Sequence, residues 1–320
     1  MPILPLLDRR LVVVTGKGGT GKTTVAAALA LAAAARGRRV LVAEVGLGEQ
    51  GPALLAPQPA PVGYAGREIR PGLFAMRIDP YEALAEYLGL QIGLRGLVRR
   101  VLENRAFRQL MDASPGWREL ITLGKVWHLE QQRDARDRPR FDLLVVDAPA
   151  TGHGLTFLDV PRVVGSAVRA GPLRKHAGLV EEMIRDAHQT VLLPVALAEE
   201  LPARETAQLV GRVRGELGVA VDRVVVNAVA PDPFPPSVPD LDARLARLPP
   251  GLALPGTPAP PVLAACAAHL RGRHLLNARW TAEIAAATGL PLVVLPHLRD
   301  GARTAASLAL LGEQLAAGVA

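Results

Sequence analysis

Val12-Val13-Val14-Thr15-Gly16-Lys17-Gly18-Gly19-Thr20-Gly21-Lys22-Thr23-Thr24 is the stretch that decides the fold of this chain. A β-branched run leads into a glycine loop that closes on Gly-Lys-Thr. Gly16 to Thr23 fits G-x-x-x-x-G-K-[ST], the phosphate-binding loop. In such a loop the glycines let backbone N–H groups curl around phosphate oxygens. The helix that follows turns its positive N-terminus to the same anion. Gly18, Gly19, Thr20, Gly21, Lys22, Thr23 and Thr24 are therefore candidate nucleotide-binding residues. Lys22 is expected to reach the terminal phosphates, and the Thr23 hydroxyl to ligate Mg²⁺. A second lysine, Lys17, makes the loop the deviant form K-G-G-x-G-K-[ST]. The glycines at 16, 18 and 21 also satisfy G-x-G-x-x-G. Glu44 ends the next apparent strand, where the ribose-binding acid of an NAD site belongs. An NAD-dependent enzyme is thus the rival reading. Lys22-Thr23 directly after the last glycine favours phosphate and magnesium, because a dinucleotide turn needs no lysine there.

Working outward, strand 11–15, helix 22–36 and strand 39–44 form a βαβ opening, which predicts a parallel sheet with covered faces. The Gly- and Pro-rich stretch 46–72 reads as a loop, and 74–78 as a strand. From 81 to about 136 the pattern is helical and arginine-studded, broken at Pro115-Gly116. Phe141 to Asp147 is a buried strand ending in an acid, followed by a loop at 148–154. Residues 160–188 are helical, and 191–197 and 223–226 are short strands. Dense prolines between 231 and 262 predict an irregular insertion. A helix at 274–288, a strand at 290–295 and a helix at 303–317 complete the chain. The alternation predicts an α/β, doubly wound, mainly parallel sheet in one domain over 1–320. The helical stretches 81–136 and 160–188 exceed what crossovers need. They predict an inserted helical subdomain, roughly 81–190, on the nucleotide side of the sheet.

Hydrophobic residues make up 49% of the 320 residues but aromatics only 3%, so the core must be aliphatic. Of 37 basic side chains only four are lysine (17, 22, 125 and 175), and two of those lie in the one loop. Net charge is +7, and the arginines are scattered without the stripe that marks a DNA face, so nucleic acid is not an expected partner. The single cysteine, Cys266, excludes an internal disulfide framework and a cysteine-rich zinc site. The start lacks the layout of a signal peptide. The longest apolar run, Val25 to Ala35, is too short to span a bilayer and reads as the helix behind the loop. A cytoplasmic location is the expectation.

A phosphate-binding loop needs an acid at the end of a neighbouring strand to hold the magnesium shell. Asp147 is that candidate, with Thr23 as the other metal ligand. His153 lies in the loop behind it, with a switch role and a general-base role both open. With Lys17-Gly18-Gly19-Thr20-Gly21-Lys22-Thr23-Thr24 and Phe141-Asp142-Leu143-Leu144-Val145-Val146-Asp147-Ala148-Pro149-Ala150-Thr151-Gly152-His153, the chain resembles the ArsA family. That family contains arsenite-pump ATPases and the ATPase that targets tail-anchored membrane proteins. It belongs to a wider dimerising group with MinD, ParA and the nitrogenase iron protein. The D-x-x-x-T-G-H stretch separates ArsA relatives from MinD and ParA. Glu199 to Thr206 resembles the family's E-x-x-x-x-x-E-T segment, and Val224-Val225-Val226-Asn227 its adenine-recognising strand. Leu295-Pro296-His297-Leu298 resembles its late loop over the base.

The resemblance implies a homodimer with ATP·Mg²⁺ sandwiched at the interface. It implies that Lys17 reaches the partner's nucleotide and stabilises the transferring phosphoryl, that Asn227 binds the adenine edge and that Pro296 and His297 close over it. Glu199 is implied at the ribose or the interface. The departures are as informative. The family's first switch reads D-P-A-H-S, and its Asp, which positions the attacking water, falls at Gly46 here. Either Glu44 or Glu49 takes over, or hydrolysis is slower by about 10²–10⁴-fold and the protein is mainly a nucleotide-state switch. The metalloid cysteines and the zinc-binding C-x-x-C pair of family members are absent. Methionine, which suits a promiscuous client groove, occurs four times. Leu88 to Arg100 and Trp117 to Leu129 are candidates for an aliphatic groove. The expectation is an ATP-hydrolysing ArsA-like ATPase whose nucleotide state, sensed by loops 46–51 and 148–154, controls binding of a protein or hydrophobic-helix client. A MinD/ParA-like positioning switch on membrane or DNA is the alternative. Peripheral membrane association stays open, although Leu308 to Ala320 has no basic face.

Overall fold

The computed structural model describes residues 5–46, 50–56, 60–92, 100, 102, 104–113, 116–149, 154–167, 170–252 and 255–318. Glu49 and Thr151-Gly152-His153 lie outside the described residues. The strands are β1 (Leu11–Thr15), β2 (Val40–Val45), β3 (Arg67–Arg70), β4 (Leu73–Ile78), β5 (Leu143–Asp147), β6 (Thr190–Leu197), β7 (Val224–Val229) and β8 (Leu292–Pro296). They form one sheet in the order β3-β4-β2-β5-β1-β6-β7-β8. Every pairing is parallel except β3 with β4. The doubly wound, mainly parallel α/β sheet expected from the sequence is the one observed. Strand β1 sits centrally, and the chain leaves it toward β2 on one side and reaches β6 on the other. The crevice beyond the carboxyl ends of the strands at such a reversal is where ligands bind in open α/β sheets.

All five residues of β1 are buried, as a strand covered on both faces requires. Their side chains alternate between two cores. Val12 and Val14 pack with α1 (Lys22–Ala35) and with Leu308, Leu311 and Leu315 of α11 (Ala305–Ala317). Leu11 and Val13 share the opposite core with α5 (Trp117–Gln131), α7 (Pro172–Arg185) and α8 (Glu200–Arg212). The alanines at 26, 27, 28, 30 and 33 of α1 are buried, so the predicted helix behind the loop is in place.

The helical region comprises α3 (Pro80–Ile92), α4 (Arg105–Ala113), α5, α6 (Gly154–Ala167) and α7. It is less separate than an inserted subdomain suggests. Leu123, Val126 and Leu129 of α5, Phe157 and Leu158 of α6, and Val180, Met183 and Ile184 of α7 all join the sheet core. Leu84 and Leu102 form a small satellite core with Leu88, Phe107 and Trp117 around it.

Three stretches differ from expectation. The loop predicted over 46–72 contains α2 (Gln50–Leu55) and the edge strand β3. The irregular stretch 231–262 holds α9 (Leu241–Ala246). The helix predicted at 274–288 begins far earlier, so that α10 spans Pro260–Thr288. Pro260 and Pro261 start it, because the first turn needs no N–H donor there. At 29 residues α10 is about 43 Å long, and its Asn277, Trp280 and Ile284 are buried at its C-terminal half. No helix among the described residues is long and apolar enough to cross a membrane.

Candidate functional site

The loop between β1 and α1 lies at the carboxyl end of the central strand. Gly16 adopts φ 149°, and a Cβ there would stand 2.2 Å from the Val195 carbonyl oxygen of β6. The sequence therefore needs glycine at 16 for the loop to leave the sheet. Gly21 is left-handed at φ 88°, and a Cβ on it would lie 2.2 Å from the Asn227 side-chain nitrogen. Gly21 caps α1 without any side-chain bond. The first intrahelical bond is Val25 N to Gly21 O, 3.0 Å. The amides of the first turn are left without an intrahelical acceptor and face the loop, which is the arrangement that takes an anion.

Within this frame the predicted side chains converge. Thr23 Oγ1 donates to Asp147 Oδ2 at 2.6 Å. Lys22 Nζ donates to the Lys17 carbonyl at 3.1 Å, and Thr20 Oγ1 to the same oxygen at 2.9 Å. Lys17 Nζ meets Glu205 Oε1 of α8 at 2.5 Å. Asn227 Nδ2 donates to the Thr20 carbonyl at 2.9 Å. In the register of β2 and β5, Glu44 is the direct partner of Asp147. Both Glu44 oxygens accept backbone N–H groups from the start of α2, Gln50 at 3.2 Å and Gly51 at 2.9 Å. Glu44 is thus a helix cap beside the metal-binding candidate, each of its oxygens already accepting one backbone N–H.

The electrostatics follow from burial. Asp147 is buried, which pushes its carboxyl up to about 6, against the Thr23 hydrogen bond. The negative Glu44 adds to the rise and Lys22 offsets part of it. Burial also lowers the Lys22 ammonium below its usual range, opposed by Asp147. Asp147 Oδ1 is buried and has no hydrogen-bond partner among the described residues. An orphaned carboxylate oxygen beside a hydroxyl suits a hard, oxygen-seeking cation such as Mg²⁺, which takes few protein ligands and completes its shell from phosphate and water. Accordingly, no group of three or more His, Cys, Asp and Glu side chains able to cage a metal occurs among the described residues.

The remaining predicted residues are more peripheral. His297 is exposed, and its backbone N–H donates to the Val229 carbonyl at 2.8 Å, which ties the end of β8 to that of β7. Pro296 pairs with Val229 across a register shift. Between Asn227 and Val229, Ala228 takes φ 55°, a left-handed residue without the freedom of glycine. Such strain marks segments held by their surroundings, often at functional sites. Glu199 is exposed at the N-cap of α8, and its side chain caps nothing. Gly46 stands at φ 130°.

Two residues to which sequence reasoning gave no role matter. Glu205, six positions after Glu199 in the same segment, is the one that reaches the loop. Asn277 on α10 accepts from Ala230 N at 2.8 Å and donates to the Ala198 carbonyl at 2.9 Å, clasping the ends of β6 and β7. Asn277 falls within the helix predicted at 274–288, but its burial is visible only in the fold.

The profile of the anion-transporting ATPase family matches residues 9–176. The chain is 37% identical over 229 residues to the ATPase BagA of Mycobacterium tuberculosis, covering 69% of this chain and 66% of that protein. It is 31% identical over 242 residues to an arsenical pump-driving ATPase of Escherichia coli, covering 68% of this chain and 39% of that protein. A similar protein of Acidiphilium multivorum is 30% identical over 244 residues, with the same coverage. The match therefore spans about two thirds of the mycobacterial relative's length and well under half of the pump ATPases.

Proposed function

This chain belongs to the anion-transporting ATPase family, and we propose that it binds ATP with Mg²⁺, hydrolyses it slowly and uses its nucleotide state to control a client. The observation that carries the reading is the contact of Thr23 with Asp147 at 2.6 Å, beside a buried carboxylate oxygen without a donor and a lysine fed into the same loop. The loop amides and the α1 N-terminus bind the phosphates, and Lys22 exchanges the Lys17 carbonyl for a phosphate oxygen. Thr23 and Asp147 would hold the Mg²⁺, which when bound neutralises phosphate charge. Asn227, Pro296 and His297 line up on the β7–β8 side as the base-recognising edge. Slow turnover follows from Gly46 and from a Glu44 that is committed to capping α2.

The dimeric arrangement rests on Lys17. Its side chain is 42% exposed, so a partner's nucleotide could reach it once the contact with Glu205 is exchanged. A positive group brought to a partner's phosphoryl stabilises the charge that spreads there during transfer. The client reading rests on a cavity of about 100 Å³ between α3, α5 and α7. Leu90, Leu120, Ile121, Trp127, Ala177 and Val180 are among its apolar lining, and Glu86, Tyr87, Lys125, His128 and His176 bring polar groups to it. A space of that size with this apolar lining suits an apolar side chain of a client. Cys266, the sole cysteine, is exposed and offers no thiolate cluster. A cytoplasmic location fits this reading.

The test is direct titration with ATP and Mg²⁺, with NAD as the rival ligand. ATP binding that disappears in Lys22→Ala supports the proposal, and NAD binding without ATP binding refutes it. For the client, a synthetic apolar helical peptide is titrated against the parent and Gly124→Leu. Gly124 lines the cavity and a Cβ there meets nothing within 4 Å, so the larger side chain fills the space. Equal, nucleotide-independent affinities in both proteins would remove the cavity from the account.

A further inference from the structure

Lys17 is the hub of the loop. Its carbonyl accepts Lys22 Nζ at 3.1 Å and Thr20 Oγ1 at 2.9 Å, and its own ammonium sits 2.5 Å from Glu205. Both lysines that the nucleotide chemistry needs are therefore held inside the protomer. Glu205 is 188 residues away in sequence, on the helix that follows β6, so the contact is made only by the folded sheet. Its other oxygen, Oε2, is buried without a hydrogen-bond partner among the described residues. Releasing Lys17 would leave Oε1 without this donor as well, so the release must be driven by the gain at the partner's phosphates.

We infer that Glu205 is a positioning residue that parks Lys17 within its own subunit and releases it to the partner's nucleotide only after the home site is filled. This rests on the dimeric ATPase reading above. The coupling is built into the loop. When phosphate draws Lys22 away, the Lys17 carbonyl loses one of its two donors and the loop is freer to swing Lys17 off Glu205. Dimerisation must break one such pair in each subunit. A half-exposed ion pair is worth a factor of about 1.4 to 5 in an equilibrium constant, so two pairs oppose dimerisation by about 2- to 25-fold. Screening by salt should weaken the same lock.

The experiment measures the dimer dissociation constant by sedimentation with saturating AMP-PNP and Mg²⁺, for the parent, Glu205→Gln, Lys17→Ala and the double variant. Glu205→Gln keeps the shape of the side chain and removes the charge. The expected result is an about 2- to 25-fold tighter dimer for Glu205→Gln, with no such gain when Lys17 is already alanine. Two results overturn the inference while leaving the ATPase reading intact: an unchanged or weaker dimer in Glu205→Gln, or the same gain in the Lys17→Ala background. A parent that binds no AMP-PNP, or stays monomeric when saturated with it, overturns the inference and the dimeric reading together. If Glu205→Gln is unstable, Glu205→Asp takes its place, keeping the charge but shortening its reach by one methylene, and a nucleotide-bound dimer no tighter than the parent's contradicts the lock.

Discussion

Asp147→Asn separates the electrostatic cost of the magnesium site from its use. In the parent, burial raises the Asp147 carboxyl from 3.8 to about 6. At about 1.4 kcal/mol per pH unit, ionising it in the folded protein costs about 3 kcal/mol relative to the unfolded chain. The sign is set by the direction of that rise. Between 3.8 and about 6 the folded state holds the proton that the unfolded state has lost, so parent stability falls as pH rises through this window. Below it the cost is absent, and above about 6 it is fully present. Asparagine does not titrate, and any fixed effect of its amide on Thr23 is the same at every pH. The assay is urea unfolding of nucleotide-free parent and variant between about pH 4.5 and 7.5, a range holding about 2 of the about 3 kcal/mol. The variant should gain on the parent by that amount as pH rises, while losing Mg²⁺-dependent ATP binding. A stability difference that stays flat with pH, or moves in the parent's favour, refutes the claim that Asp147 is a buried, strained carboxylate awaiting a cation.

Two further outcomes are expected. Glu44→Gln should lower the Asp147 carboxyl, because Glu44's charge contributes to its rise, and should loosen α2. Since Glu44 serves as a cap, steady-state turnover should fall by less than about 10-fold, short of the 10²–10⁴ that loss of a water-activating base costs. Asn227→Ala removes the donor from the Thr20 carbonyl. Thermal unfolding should register a loss of about 1 kcal/mol, and competition between ATP and GTP should show weaker base discrimination.

What could be read from the sequence was the part whose chemistry is local. Val12 to Thr24 spells a buried strand, a glycine turn and a helix start in contiguous residues, and Asp147 follows its own apolar run. Thr23 and Asp147 then meet as expected across 124 residues because β1 and β5 are neighbours. The misses share the opposite property. Helix α2 is six residues containing Gly51 and Pro52, and it is held by Glu44, a cap supplied from the preceding strand. Helix α10 begins with two prolines and exposes Val262, Leu270, Leu275 and Leu276, so its apolar residues trace no single stripe. The partner of Lys17 could not be seen at all, since Glu205 reaches it through the order of β1 and β6. Glu199, at the head of that segment, has the same chemistry and the wrong place.

The central claim is that the two loop lysines serve different subunits, Lys22 its own phosphates and Lys17 the neighbour's. ATP turnover by Lys17→Ala, at protein and ATP concentrations where nucleotide binding is independently shown to be saturated, tests it most directly. The account predicts near-parental ATP affinity with turnover reduced by about 10³-fold or more, the scale of a missing trans-acting cation. Parental turnover in that variant would contradict it.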